Sequence, residues 1–314
     1  MGYSEVLYDL LHRATDRCSA SSIALSGGLD SSILSFYLQN KISSAIAITT
    51  QDYHSPDLPF CKLLSEKFDL PLVVTSVTMP EILDAIHQCI LILKNFNNIE
   101  IRNSIVIYLA LCVAKKSNIT SMVTGDGADE LFAGYNFMQH KTKPELSLIL
   151  ERIWKNMKYT SIELSKALNI TLESPFLDPD VVQFAKQLPI DEKIQYHSGK
   201  KFGKWILRET FDGKIPDSIL WREKTAMQDG SGTSNITNYF EQHTSNEEFE
   251  SKKTKILNND HIRIQSKESL YYYEIYCQNN NPPIINSDVK SCPFCNYSIP
   301  DNGMFCRMCG AWPI

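Results

Sequence analysis

The run Ile23-Ala-Leu-Ser-Gly-Gly-Leu-Asp-Ser-Ser constrains this chain more than any other stretch. Residues 23–25 are apolar and β-prone, two glycines interrupt them, and a helix-like pattern follows. Such a strand–loop–helix joint leaves backbone N–H groups at a helix N-terminus, where they can hold phosphate oxygens. Gly27 and Gly28 let the backbone approach a ligand with no Cβ in the way. Leu25 and Ser26 lead into the loop, Ser26, Ser31 and Ser32 add hydroxyl donors, and Asp30 adds a carboxylate suited to magnesium. No Gly-Lys-Ser/Thr follows, which excludes a Walker A loop. A plain glycine turn at a strand end is the alternative.

The neighbouring pattern gives the loop its setting. A short amphipathic helix is predicted over 4–13, strands over 22–26, 45–49, 71–77 and 122–124, a helix after the glycine loop running to about 39, and helices over 58–68, 80–94 and 104–116. Strands alternating with helices predict an α/β fold with a parallel sheet covered on both faces. Ligands of such sheets bind at the carboxyl ends of the strands. From about 137 to 277 the pattern is mostly helical, and the polar run Gln278-Asn-Asn-Asn-Pro-Pro reads as a linker.

With 314 residues the chain suggests about two domains. A net charge of -5 argues against nucleic acid as the main partner, because phosphate contacts need clustered Lys and Arg. No apolar run reaches the roughly 20 residues of a membrane span, and the N-terminus lacks the pattern of a secretory signal. Five cysteines (Cys18, Cys61, Cys89, Cys112, Cys277) are scattered rather than spaced as a disulfide framework, which fits a reducing cytoplasm.

Two further clusters carry chemistry. Thr124-Gly-Asp-Gly-Ala-Asp-Glu follows a predicted strand and places Asp126, Asp129 and Glu130 within five residues. Acids so close repel unless a cation or an amine joins them; the alternative is an acidic turn capping a helix. The second cluster is Trp221, Arg222, Glu223, Lys224 and Thr225, ahead of the Gly-rich Asp229-Gly-Ser-Gly-Thr. Its lysine can neutralise charge that develops on a phosphorus centre, or can be an ordinary solvated lysine.

Ser-Gly-Gly-x-Asp-Ser resembles the PP-loop of the ATP pyrophosphatases, which cleave ATP between the α and β phosphates. Residues 26–32, 124–135, Ser174-Pro-Phe-Leu-Asp, Ile206-Leu-Arg-Glu, 221–224 and 266–273 occur in one order. As a set they resemble the synthetase domain of glutamine-hydrolysing asparagine synthetase and its relative β-lactam synthetase, over roughly residues 3 to 277. The resemblance implies a PP-loop ATP pyrophosphatase (adenine nucleotide alpha-hydrolase-like) core over 1–136 and a helical part over 137–277, ahead of the linker read from composition over 278–287.

It also implies a reaction. A substrate carboxylate, aspartate being one, attacks the α-phosphorus of ATP to give an acyl-adenylate and pyrophosphate; an amine then displaces AMP and forms an amide. Carried over residue by residue, Leu25, Ser26, Gly27, Gly28, Asp30, Ser31, Ser32, Thr124 and Gly125 bind the nucleotide. Asp30 and Asp129 hold magnesium, and Lys224 stabilises charge as the α–β bond breaks. Asp126 stands where the family often has Glu, at a position linked with the attacking amine. Glu173 is a second candidate acid, where the chain departs from the common Arg-Val-Pro-Phe-Leu-Asp. The full synthetases begin with a glutaminase whose cysteine directly follows the initiator Met. Here that position is Gly2, so the implied nitrogen source is ammonia, a separate glutaminase subunit, or an amine on the substrate.

The C-terminal region carries Cys292-Pro-Phe-Cys295 and Cys306-Arg-Met-Cys309. Two Cys-x-x-Cys turns supply four thiolates, the set zinc prefers in closed structural sites. The spacing predicts a zinc ribbon over 288–314 that covers part of the synthetase domain or docks a protein or RNA partner; disulfides or an iron–sulfur centre are the alternatives. Two other functional readings compete with the amide ligase: a PP-loop tRNA-modifying enzyme with the ribbon as RNA grip, and a non-catalytic nucleotide-binding regulator.

Overall fold

Strand β1 (Ser22–Ala24) sits at the centre of a five-stranded sheet with β2 (Ser44–Thr50), β3 (Leu72–Val77), β4 (Ser121–Val123) and β5 (Thr171–Glu173), in the order β3-β2-β1-β4-β5. The computed structural model describes residues 2–51, 53–286, 289–300 and 303–314. The pairs β1–β2, β1–β4 and β4–β5 all run parallel, with Ile23 opposite both Ala45 and Val123. All seven residues of β2 are buried, as a strand covered on both faces requires. The α/β class with a parallel sheet is therefore as the alternating pattern predicts.

The order of the strands decides where a ligand can bind. From β1 the chain moves outward to β2 and β3, then returns to the other side of β1 for β4 and β5. The carboxyl ends of β1 and β4 thus flank the point where the winding reverses, and in open α/β sheets that point is the binding crevice. Both the Ser26 loop and the Thr124 loop leave the sheet there.

Helices fall close to their predicted positions. Leu58–Phe68 coincides with the prediction, Leu29–Leu38 ends within a residue of it, Met79–Leu93 agrees to within a residue, and Asn98–Lys116 begins at 98 rather than 104. Strand β5 lies inside the stretch read as helical. It has three residues, and what fixes it is pairing, with Thr171 N bonded to Thr120 O (2.8 Å) and Thr124 N to Glu173 O (3.0 Å). A strand this short with one apolar residue has no periodicity to read. The antiparallel hairpin of β6 (Ile194–His197) and β7 (Lys200–Gly203) lies in the same stretch.

The compact units do not follow chain order. Unit 1 comprises 1–49, 56–75 and 110–226; unit 2 comprises 50–55, 76–109 and 227–314. A division at 136 thus falls inside unit 1, and one at 277 inside unit 2. Unit 1 has a core of aliphatic side chains from the sheet and its covering helices, including Leu11, Ile23, Ile33, Leu34, Val123, Phe176 and Phe211, all fully buried. In unit 2 the helix Lys267–Asn279 buries Tyr272 and Tyr273. Tyr272 Oη donates to Glu268 Oε1 (2.9 Å), and Glu268 pairs with Arg102 (3.2 Å). No helix or strand occupies 281–286; residues 287 and 288, the end of the predicted linker and the start of the ribbon, lie outside the described residues, as do 301 and 302.

Candidate active site and metal centre

The shape of the glycine loop is set by its backbone. Gly27 has φ +65°, and a Cβ there would lie 2.8 Å from Phe60 Cβ and 2.9 Å from Asp57 O, so both conformation and space require glycine. Gly28 is the extended N-cap of the helix Leu29–Leu38, and no side chain caps it. The first N–H groups of that helix are left to an outside acceptor. Ser26 Oγ and Ser31 Oγ are 3.1 Å apart and brace the loop. Ser32 is completely buried, and its hydroxyl donates to Gly28 O (2.7 Å). Leu25 is also buried, with its side chain in the core of unit 1. Among the residues predicted to bind nucleotide, Ser32 thus bonds to the loop backbone and the Leu25 side chain packs in the core.

Two lysines join the carboxylates of the two loops. Lys204 Nζ lies 2.6 Å from both oxygens of Asp30 and 2.6 Å from Asp129 Oδ1. Lys224 Nζ lies 2.6 Å from Asp129 Oδ2. Burial would raise the Asp129 pKa, but the charges of Lys204 and Lys224 and the hydrogen bond from Lys224 hold it well below the usual carboxylate range. Lys224 feels the reverse: burial would lower it, while Asp129 and Asp30 hold it above its ordinary value. Gly134 makes this closeness feasible, since a Cβ there would fall 2.0 Å from Asp129 Oδ1 and 2.3 Å from Lys204 Cε.

Asp30, Asp129 and Lys224 were singled out in the sequence, and the structure brings them together across 194 residues of chain. Lys204 was missed. It directly precedes Trp205 and the Ile206-Leu-Arg-Glu motif, so its adjacency to that motif was the available signal.

The remaining acids of the Thr124 loop have separate partners. Asp126 Oδ2 accepts from Thr124 Oγ1 (2.9 Å) and Ser161 Oγ (2.6 Å). Thr124 has one hydroxyl proton and gives it to Asp126, so its 2.9 Å contact with Ser174 Oγ is one it accepts. Burial raises the Asp126 pKa, and the hydroxyl bonds from Ser161 and Thr124 only partly offset it. Glu130 accepts from Tyr135 Oη at 2.5 Å. Glu173 is drawn elsewhere: its carboxylate accepts from Ser19 N (2.9 Å), Ser19 Oγ (2.7 Å) and Ala20 N (3.2 Å), in the connection leading into β1. Burial would raise its pKa, but these hydrogen bonds bring it below the ordinary value. Its partners Ser19 and Ala20 tie it to the connection that leads into β1, away from the carboxylates of the Thr124 loop.

The family model for asparagine synthase matches residues 3–169 and 162–269. The chain belongs to the asparagine synthase family. Among curated relatives, glutamine-hydrolysing asparagine synthetase B of Escherichia coli is 29% identical over 279 residues, covering 81% of this chain and 49% of that protein. A probable glutamine-hydrolysing asparagine synthetase of Schizosaccharomyces pombe is 27% identical over 245 residues, covering 68% of this chain and 43% of its own. The chain thus spans about half the length of the curated relatives it matches. Among solved structures, an NH3-dependent NAD synthetase from Campylobacter jejuni covers 69% of this chain and 98% of its own at 18% identity, with a TM-score of 0.29, too low to bear on the fold.

The asparagine synthase match ends before the C-terminal cysteines. Cys292, Cys295, Cys306 and Cys309 converge so that their sulfurs all lie within 4.8 Å of one another. The Cys292–Cys309 and Cys295–Cys306 sulfurs are 3.8 and 3.5 Å apart. A tetrahedral site with metal–sulfur bonds of about 2.3 Å has its sulfurs about 3.8 Å apart, so the donor set fits zinc. These separations are also far beyond an S–S bond of about 2.05 Å. The residue after each second cysteine, Asn296 and Gly310, has positive φ (64° and 77°), so both turns have the same form.

The segment that carries the four cysteines is held within unit 2. Phe96 N donates to Met308 O (2.9 Å), Asn97 Nδ2 to Arg307 O (3.3 Å), and Arg263 N to Phe294 O (2.7 Å). Of the two placements the sequence left open, covering the synthetase domain is the one these bonds describe. Among the described residues no helix is long and apolar enough to cross a membrane.

Proposed function

We propose that this chain is an ATP-dependent, AMP-forming amide ligase. The observation that carries the reading is the Asp30–Lys204–Asp129–Lys224 chain of 2.6 Å contacts, set beside an uncapped helix N-terminus at the reversal of the sheet. Membership in the asparagine synthase family supports it further.

The residues present fit magnesium: two carboxylates from separate loops supply the hard oxygen donors it prefers, and Asp129 Oδ1 is buried without an aligned hydrogen bond. Asp30 and Asp129 would hold the ion, which when bound neutralises charge on the phosphates. The N–H groups of Gly27, Gly28 and the first turn of Leu29–Leu38 cradle the pyrophosphate, with the Ser26 and Ser31 hydroxyls beside them. Gly125 and Thr124 form the opposite wall. The substrate carboxylate oxygen bonds to the α-phosphorus as the bond to the bridging oxygen breaks and pyrophosphate leaves. Lys224 stabilises the charge that builds on the oxygens of the phosphorus centre.

Asp126 is the base for the second half of the reaction. Its environment raises its pKa, which suits a group that takes a proton from the attacking amine. The amine bonds to the acyl carbon, AMP departs, and an amide remains. Ammonia is the simplest nitrogen source, with a separate glutaminase subunit as its supplier or an amine on the substrate in its place. Aspartate is the first carboxylate to test. The four C-terminal cysteines bind a structural zinc, and the scattered free thiols support a cytoplasmic setting.

The test is an AMP-release screen across carboxylic acids with ATP and magnesium, comparing ammonia with glutamine. AMP and pyrophosphate released only with a carboxylate support the proposal. ADP release, or carboxylate-independent turnover, contradicts it.

A further inference from the structure

We infer that Lys204 is an internal counter-cation that sits between Asp30 and Asp129 and competes with divalent metal for their oxygens, so that metal enters with nucleotide rather than before it. The inference rests on the proposed reading of Asp30 and Asp129 as the magnesium pair.

The geometry is specific. Lys204 Nζ meets three carboxylate oxygens, each at 2.6 Å. Its side chain is 5% exposed, against 30% for Lys224. A lysine buried to that extent and shared by two acids is a fixed part of the charge balance, because the carboxylates would otherwise repel at close range.

The backbone presets its reach. Lys204 has φ 56°, a left-handed conformation that costs a non-glycine residue energy and persists only where neighbours hold it. Lys204 N donates to Phe132 O (2.9 Å), and Arg208 N donates to Lys204 O (3.1 Å). Buried Arg208 also donates from Nε to Gly203 O (3.0 Å) and from its guanidinium to Leu220 O. The ammonium is thereby delivered to one place.

A metal ion bridging Asp30 and Asp129 needs the oxygens the ammonium now holds. Asp129 Oδ1 is the weakest of the three contacts, close to Lys204 yet without an aligned hydrogen bond. Lys224 keeps Asp129 Oδ2 through the exchange and so preserves the orientation of that carboxylate. The displaced ammonium needs a new anionic partner, and the phosphate oxygens of an arriving nucleotide are the ones nearby. Metal alone supplies no such partner, which is why it competes poorly.

The test reads metal binding without nucleotide and without turnover, by electron paramagnetic resonance titration with Mn2+. Wild-type protein should bind Mn2+ at this pair more weakly than about 1 mM. Lys204→Met should bind about tenfold tighter or better, and adding Asp129→Asn to it should remove the gain. Lys204→Gln, which keeps hydrogen bonding to the carboxylates, provides the same comparison should the Met variant fail to fold. Micromolar Mn2+ binding by the wild type that Asp129→Asn abolishes, or neutral variants with no gain, overturns the inference. Loss of the ligase reading shows separately, as absence of AMP release.

Discussion

Arg222 and Asp57 form a 2.6 Å ion pair, and the Arg222 guanidinium lies 4.2 Å from the centre of the Phe60 ring. Asp57 O and Phe60 are the atoms that crowd Gly27 in the phosphate loop, and Arg222 is two residues from Lys224. The pair therefore ties the segment bearing Lys224 to the support of the glycine loop. Arg222→Met should lower kcat more than it raises the KM for ATP, with a stability loss of about 1–3 kcal/mol. Steady-state kinetics beside thermal unfolding checks this; a change in KM alone would refute the positioning role.

Lys224→Ala should remove turnover while leaving ATP binding largely intact, because the proposed role falls on charge that develops during bond breaking. Nucleotide binding by calorimetry and AMP release separate the two effects. A fully active variant would show that Lys224 does not act in the reaction.

Asp126 gives a pH prediction with a definite sign. Its folded-state pKa is raised by burial, so the folded protein binds that proton more readily than the unfolded chain. Its contribution to stability is present below the unfolded carboxylate pKa and is lost as pH rises through the raised folded value. Asp126→Asn should therefore unfold at a higher temperature than wild type at neutral pH, yet lose amide formation. In the wild type, amide formation should fall as pH drops through the raised Asp126 value. Loss of thermal stability in the Asn variant at neutral pH would contradict this account.

Gly134→Ala places a Cβ against Asp129 and Lys204. It should destabilise the protein by about 1–3 kcal/mol or more through overpacking. AMP release should be lost even at temperatures where the variant stays folded. Retained wild-type activity would mean that the close approach of Asp129 to Lys204 is not needed.

If the four cysteines hold the proposed zinc, chelation, or Cys295→Ser, should loosen the C-terminal segment and uncover Phe96, which bonds to Met308 of that segment. Hydrogen exchange at residues 94–101, with zinc content measured alongside, checks this. Unchanged protection there in metal-free protein would show that the ribbon folds without metal.

How far the site was legible in the chain depends on how local each partner is. Gly27, Gly28 and Asp30 are contiguous with a strand and a helix, so their joint form could be read directly. Asp129 and Lys224 could be named from their motifs, but not their 2.6 Å contact. Lys204 and Ser161 stayed hidden because their meaning comes only from carboxylates far away in the sequence. Glu173 shows the converse. Beside Ser174-Pro-Phe it reads as a second candidate acid, while its partners, Ser19 and Ala20, are 154 and 153 residues away. Strand β5 was missed for the same reason, since pairing rather than periodicity makes it a strand.

The central claim is that a carboxylate oxygen attacks the α-phosphorus of ATP. It is tested most directly by turnover with an 18O-labelled carboxylate substrate in the presence of ammonia, followed by mass spectrometry of the nucleotide. The account predicts AMP carrying one 18O atom per amide formed. Unlabelled AMP, or ADP and phosphate as the products, would contradict it.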